Sequence, residues 1–193
     1  MIHDDALAVL GAWAPPSPRD AALRERYLDH LHAHPDGLLR TCFPDHLTAG
    51  AVVVSHAGDA VLLNHHRKAD AWLAFGGHVE PGDQTLAGAA RRELVEESGL
   101  VEFDFDPVPL SLDEHAVEFC SDAGTVHHLD VRFLALASPD ENHVVSEESN
   151  DVRWWPVAAL PKTFEDMYLL IEAAVRRARE AHPRTSSAVR VSR

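Results

Sequence analysis

Between Gly76 and Leu100 the chain reads GGHVEPGDQTLAGAARRELVEESGL, a glycine-rich turn set directly before a short helical stretch. Glu93, Glu96 and Glu97 fall at i, i+3 and i+4. On a helix of 3.6 residues per turn their carboxylates share one face. Three like charges that close repel one another, and an ordinary surface helix gains nothing from them. A hard divalent cation reverses the sign of that effect, because Mg²⁺ takes oxygen ligands and bridges to substrate phosphates. The segment reads as a metal–diphosphate site.

The stretch resembles the signature of the Nudix hydrolases, Gly-x5-Glu-x7-Arg-Glu-apolar-x-Glu-Glu-x-Gly-apolar. Its C-terminal half matches residue for residue at Arg92, Glu93, Leu94, Glu96, Glu97, Gly99 and Leu100. The N-terminal half departs from it. Gly77 followed by five residues reaches Asp83, where the family has Glu, and the interval to Arg92 is then one residue longer. Counting back from Arg92 instead puts Gln84 at the Glu position and loses the glycine. One extra residue in the turn accounts for the departure and leaves the three glutamates intact.

The likeness covers roughly His46 to Pro161. The segments PDHLTAGAVVVS and LLNHHRKADAWLAFGGHVEPGD resemble a bacterial subgroup of the family whose substrates are unassigned. The resemblance implies an α/β fold, an α/β/α sandwich with a mixed sheet, with Mg²⁺ as cofactor and Mn²⁺ as its substitute. It implies hydrolysis of a diphosphate linkage in a nucleoside diphosphate joined to another moiety, giving a monophosphate and a phosphorylated product.

The resemblance also implies roles. Glu93 and Glu97 are the first metal ligands, Glu96 is the next and a catalytic candidate, and a backbone carbonyl of the glycine turn, at Gly77 or Gly76, joins them. Arg92 orients Glu93 or Glu96 through a bidentate pair. Glu148, six residues before Trp154, resembles the loop glutamate that serves as general base, with Glu147 as its rival. Glu80, in Gly-Gly-x-x-Glu, stands for approach to the metal or a brace to Arg92. Arg67 and Lys68 are cations that can meet the diphosphate, against a plain solvated role. Trp154 and Trp155 are adjacent, so in a strand one faces the core and the other does not, which leaves packing or stacking on a nucleobase open.

A formal charge of −14 argues against a nucleic-acid partner, which needs clustered Lys and Arg. The 14 histidines are scattered. The pairs His65-His66 and His127-His128 fall in strand-like runs, where neighbours face opposite ways. Neither pair readily places both rings on one metal, and packing or surface roles are expected. Cys42 and Cys120 lack metal or redox spacing and read as small buried or half-buried side chains. With no bilayer-length apolar run and no leader pattern at Met1, a cytoplasmic protein is expected, without a membrane partner.

Three parts follow from periodicity and breakers. Residues 1–45 form a helical extension, with one apolar stripe ending at Pro15-Pro16-Ser17-Pro18 and a second before Pro35-Asp36-Gly37. Residues 46–182 form the main domain. Strands are expected at Ala51–Ser55, Ala60–His66, Trp72–Phe75, Val108–Leu112, His115–Cys120, Val126–Leu136 and Val152–Pro156, with a closing helix over Thr163–Ala181. Residues 183–193 are polar, and disorder is expected there. The flanking helices are suited to cap the fold or build a homodimer interface. Two rival functions use the same scaffold. An isoprenyl-diphosphate isomerase calls for an apolar tunnel and a poised Cys or Glu, and a non-catalytic nucleotide sensor predicts binding without turnover.

Overall fold

The computed structural model describes residues 1–118 and 124–181. Two helices, α1 (Ile2–Ala12) and α2 (Pro18–Ala33), come first. Then follow β1 (Asp45–Ser55), β2 (Ala60–His66), β3 (Ala71–Leu73), β4 (Phe75–His78), α3 (Leu86–Ser98), β5 (Asp104–Val117), β6 (Val126–Ala137), β7 (Ser149–Pro156) and α4 (Glu165–Ala181). Cys120 and the tail 183–193 lie outside the described residues. The expected strands at Val108–Leu112 and from His115 are one continuous β5, kinked by a register irregularity between Asp106 and Ser111. The expected Trp72–Phe75 strand is two short ones, β3 and β4, interrupted at Ala74.

The seven-stranded sheet is mixed: β1 runs parallel to β6 and antiparallel to β2 and β4. β1 and β2 pair only at Val53↔Leu62 and Val54↔Val61, then diverge. The β3–β4 segment fills the fork, pairing first with β2 and then with β1 at Thr48–Ala51. That fork seats the glycine turn. Alternate residues of β1 serve opposite faces. Leu47, Ala49, Ala51 and Val53 enter a core with α1, α2 and α3, while Val52 and Val54 enter another beneath α4.

The N-terminal helices are part of the first core, since Ala6, Leu10, Trp13, Tyr27 and Leu31 are buried in it. Ser17 caps α2 by accepting from Asp20 N at 3.1 Å, with Pro18 at the first helical position, where its missing N–H leaves nothing unpaired. The prolines thus end one helix and start the next. Arg26 pairs with Glu114 at 2.6 Å and Asp45 at 2.9 Å, clamping α2 across β5 and β1. Trp154 packs against the first core and Trp155 against the second. Both tryptophans therefore meet an apolar layer, and Trp155 contacts the Trp72 ring edge-on at 5.1 Å. Among the described residues no helix is long and apolar enough to cross a membrane.

Candidate active site

The site begins with how α3 is held. Thr85 caps its first turn, accepting from Gly88 N at 2.9 Å, and Asp5 of α1 accepts from Leu86 N at 2.8 Å. Gly99 ends the helix in the left-handed conformation, φ 67°, which suits a residue without Cβ. Leu86, Ala89, Ala90 and Leu94 bury the opposite stripe. The Glu93–Glu97 side is thereby turned toward the glycine turn.

Contact there is close because side chains are missing. Gly50 of β1 faces Gly76 of β4 in register. A Cβ on Gly50 would lie 2.6 Å from the Phe75 carbonyl oxygen, and one on Gly76 would lie 2.6 Å from the Gly50 Cα. A Cβ on Gly77 would lie 2.8 Å from a Glu93 carboxylate oxygen. Glu97, 7% exposed, accepts from the Gly76 N–H at 3.0 Å. Burial, with the Glu93, Glu148 and Glu96 charges adding to it, pushes the Glu97 carboxyl up to about 8 against the opposing Gly76 N–H. Glu93 is raised as well, first by burial and against the pull of Arg92.

Arg92 is spread across the corner. Its Nε and Nη2 donate to Asp83 at 3.1 and 2.9 Å, Nη1 donates to Glu93 and Glu96 at 3.0 Å each, and Nη2 also donates to the His78 carbonyl at 2.9 Å. Asp83 in turn accepts from Glu80 N at 2.8 Å, locking the turn. The bidentate partner of Arg92 is thus Asp83, placed by the lengthened turn. Glu80 does not brace Arg92: its carboxylate is exposed and its backbone makes the bonds to Asp83.

A cavity of about 680 Å³ opens beside this corner on the α4 side of the sheet. Gly76, Gly77, Glu97, Glu148 and Lys68 line it. Arg67 is not among the lining residues. Its guanidinium donates to Ser149 O at 3.1 Å and Asn150 Oδ1 at 3.3 Å, fastening the loop after β2 to β7, while its N–H donates to Glu148 O at 2.8 Å. Glu96 is 56% exposed by side chain, at the edge of the cluster. The structure therefore brings Glu93, Glu96, Glu97, Arg92, Gly77 and Glu148 into one neighbourhood, with Lys68 on the wall. It leaves the carboxylate of Glu80 and the guanidinium of Arg67 outside.

Other cavity residues are not marked by any motif. Asn64 is buried, donates to the Ala74 carbonyl at 3.1 Å, and leaves Oδ1 without a partner. Arg132 bridges Asp130 and Asp166 at 3.0 Å each and Asp113 at 3.3 Å. Phe164, 53% exposed, lies at the start of α4. The alternation of VHHLDVRF is the signal that places Asp130 and Arg132 on one face. Asn64 and Phe164 had no such signal.

The donor set fits a hard cation. Three carboxylates and the glycine-turn carbonyls offer oxygen only, and burial with the neighbouring carboxylate charges raises Glu93 and Glu97.

The NUDIX domain family matches residues 44–174. Solved structures share the fold. A NUDIX-family hydrolase from Clostridium perfringens matches at 21% identity and TM-score 0.55, over 68% of this chain and 97% of its own. An Ap4A hydrolase of C. elegans, in a binary complex, matches at 21% and 0.52, over 66% and 93%. The NUDIX domain of Shewanella oneidensis NrtR, complexed with ADP ribose, matches at 25% and 0.51, over 68% and 86%. No curated protein matches in sequence.

Proposed function

Because this chain belongs to the Nudix hydrolase family, its domain spanning residues 44–174, we propose that it cleaves the diphosphate of a nucleoside diphosphate derivative with Mg²⁺. Pyrophosphohydrolase activity in general is the family's chemistry.

The observation that carries it is the buried Glu97 carboxylate on the Gly76 N–H, with Glu93 beside Gly77 and Arg92 spanning Glu93 and Glu96. Glu93, Glu97, Glu96 and the Gly77 carbonyl would hold the ion. When bound, Mg²⁺ supplies positive charge to the phosphate oxygens and makes water more acidic. Arg92 keeps two carboxylates in place and is itself fixed by Asp83. Glu148 takes the proton from the attacking water, since it lines the cavity and its charge reaches both Glu93 and Glu97. Lys68 meets the departing phosphate, and Phe164 offers a ring face to the base.

An ADP-ribose-like substrate is supported by the NrtR domain complex. The isomerase reading loses support from the charged cavity wall of Asp130, Arg132 and Lys68, which is no apolar tunnel, and Cys42 does not line it. The sensor reading shares this geometry and differs in turnover. The test is a panel of ADP-ribose, nucleotide sugars, dinucleoside polyphosphates and nucleoside triphosphates, with phosphate products counted with and without Mg²⁺. Mg²⁺-dependent release of a monophosphate from a diphosphate-linked substrate is expected. Tight binding with no product from any member would favour the sensor.

A further inference from the structure

The cavity face carries a second set of ligating side chains that hydrolysis at the glutamates does not use. His46 on β1 is registered on His128 of β6, and His128 on His115 of β5. His78 of β4 joins them diagonally, through the Thr48↔His78 pair two residues from His46. Residues in register present their side chains to the same face, and diagonal neighbours remain within reach. The rings of His46, His78 and His128 form a triangle with centroids 5.1, 5.0 and 5.0 Å apart. One ring nitrogen of each lies within 4.8 Å of one from each of the others.

Packing of three aromatic rings would explain proximity, but not the state of His46. This residue is 0% exposed, and its Nδ1 lies 3.2 Å from the Cys42 carbonyl oxygen. A carbonyl only accepts, so Nδ1 carries the proton and Nε2 is left as a bare lone pair. That buried Nε2 has no hydrogen-bond partner. An acceptor buried without a donor is destabilising, and folded proteins rarely tolerate one without a reason. The arrangement is the one seen in metal-ligating histidines, which donate their other N–H to a carbonyl or carboxylate while the bare nitrogen holds the ion.

We propose that His46, His78 and His128 bind a divalent transition ion of the Zn²⁺ class, at a site separate from the glutamates. Imidazole nitrogen suits Zn²⁺ and Co²⁺, whereas Mg²⁺ prefers oxygen, so the two sites select different ions. Zn–N bonds of about 2.0–2.1 Å bring tetrahedral ligands to roughly 3.4 Å apart, so closing the triangle moves each ring by less than about 1 Å. Three protein ligands leave the fourth position open, as in catalytic rather than structural zinc sites. His78 and His128 line the cavity, so that position serves a polar group of a bound molecule. This last step rests on the proposed hydrolase reading; binding of the ion does not.

The test uses the full chain, stripped with a chelator and kept in excess MgCl₂ so that the carboxylate corner is satisfied. ZnCl₂ is titrated by calorimetry and CoCl₂ by visible absorption, and the zinc-loaded protein is studied by X-ray absorption. The expected result is about one equivalent of Zn²⁺ bound despite the Mg²⁺, intense tetrahedral Co²⁺ bands, and a nitrogen shell with imidazole scattering. His128→Asn should weaken Zn²⁺ at least roughly tenfold, while Glu97→Gln should leave it unchanged.

Absence of Zn²⁺ binding under excess Mg²⁺, or a shell of oxygen alone, would overturn the site. A sulfur scatterer would do the same, since it would place the ion at the separate His34, Asp36 and Cys42 group. The absorption spectrum of the unaltered protein decides the matter even where the Asn variant misfolds. Failure of the substrate panel with zinc bound would remove the hydrolase reading and leave this site standing.

Discussion

Two corners of one cavity respond to burial in opposite ways. The acidic corner comes from a single helix and offers oxygen. Burial raises Glu97 to about 8 and raises Glu93. The histidine corner comes from three strands and offers nitrogen. Burial, then the neighbouring His46, lowers His78 to about 4, and burial, then His78, lowers His128 to about 3. Both corners are thus driven toward the uncharged form. Burial alone does not say which ion each admits; the donor atom does, oxygen for a hard cation and imidazole for a borderline one. His78 belongs to both, with its carbonyl on Arg92 and its ring in the triangle.

The largest expected effect separates the corners outright. Glu97→Gln should lower Mg²⁺-dependent turnover by roughly two or more orders of magnitude, the scale of losing a key electrostatic group. Steady-state kinetics at saturating Mg²⁺ measures it, and near-normal turnover would remove Glu97 from the ion's coordination.

A smaller effect tests the brace. Asp83→Ala should cost roughly 10–100-fold in activity and raise the Mg²⁺ concentration needed for half-maximal rate, as loss of an outer-shell partner does. Glu80→Ala should change the rate by no more than about twofold, in keeping with a surface substitution away from the bonded groups. Equal losses in the two variants would mean that the turn acts as a whole and that Asp83 has no special part.

The smallest effect is on stability against pH in the metal-free protein. The folded state keeps Glu97 protonated to about 8, while the unfolded carboxyl ionises near 4.5. The unfolded chain therefore loses its proton first, and this contribution falls as pH climbs from about 4.5 and is spent above about 8. For His78 and His128 the sign is opposite. Their pKa falls from 6.5 to about 4 and about 3, so their contribution is whole above 6.5 and lost as pH drops. Melting temperature should peak between the two limbs. Mg²⁺ should flatten the alkaline limb and Zn²⁺ should steepen the acid one; thermal melts across pH with each ion would show it. Swapped effects would erase the distinction between the corners.

The acidic corner was legible because its geometry is local. Spacings of one, three and four residues become neighbours on any helix, so Arg92, Glu93, Glu96 and Glu97 could be grouped without knowing the fold. The histidine corner was not. His46 and His128 are 82 positions apart and meet only through the parallel β1–β6 register, which no spacing along the chain encodes. The adjacent pairs His65-His66 and His127-His128 drew attention instead, and alternation does split them. Asp83 fell between: the departure from the family spacing was visible, but its two bonds to Arg92 depend on how the longer turn folds. The strand pattern located β1, β2, β6 and β7, yet a bulge and a one-residue break redrew β5 and the β3–β4 segment. Arg67 and Glu80 stand out by charge and position alone, while their side-chain directions are set by the loop after β2 and by the turn.

Where Gly50 meets Gly76, two main chains touch with no side chain between them. Beside that contact the Gly76 N–H meets Glu97. A carboxylate rooted in the layer of α1, α2 and α3 reaches a chamber roofed by α4 on the far side. Under the proposed function, the helix that brings the glutamates and the wall that faces the substrate would lie on opposite sides of the sheet. On that reading, substitutions at Phe164, Asn64 or Lys68 should alter which substrate is cut and leave the bonds of Glu97 to Gly76 and of Arg92 to Glu93 and Glu96 as they are.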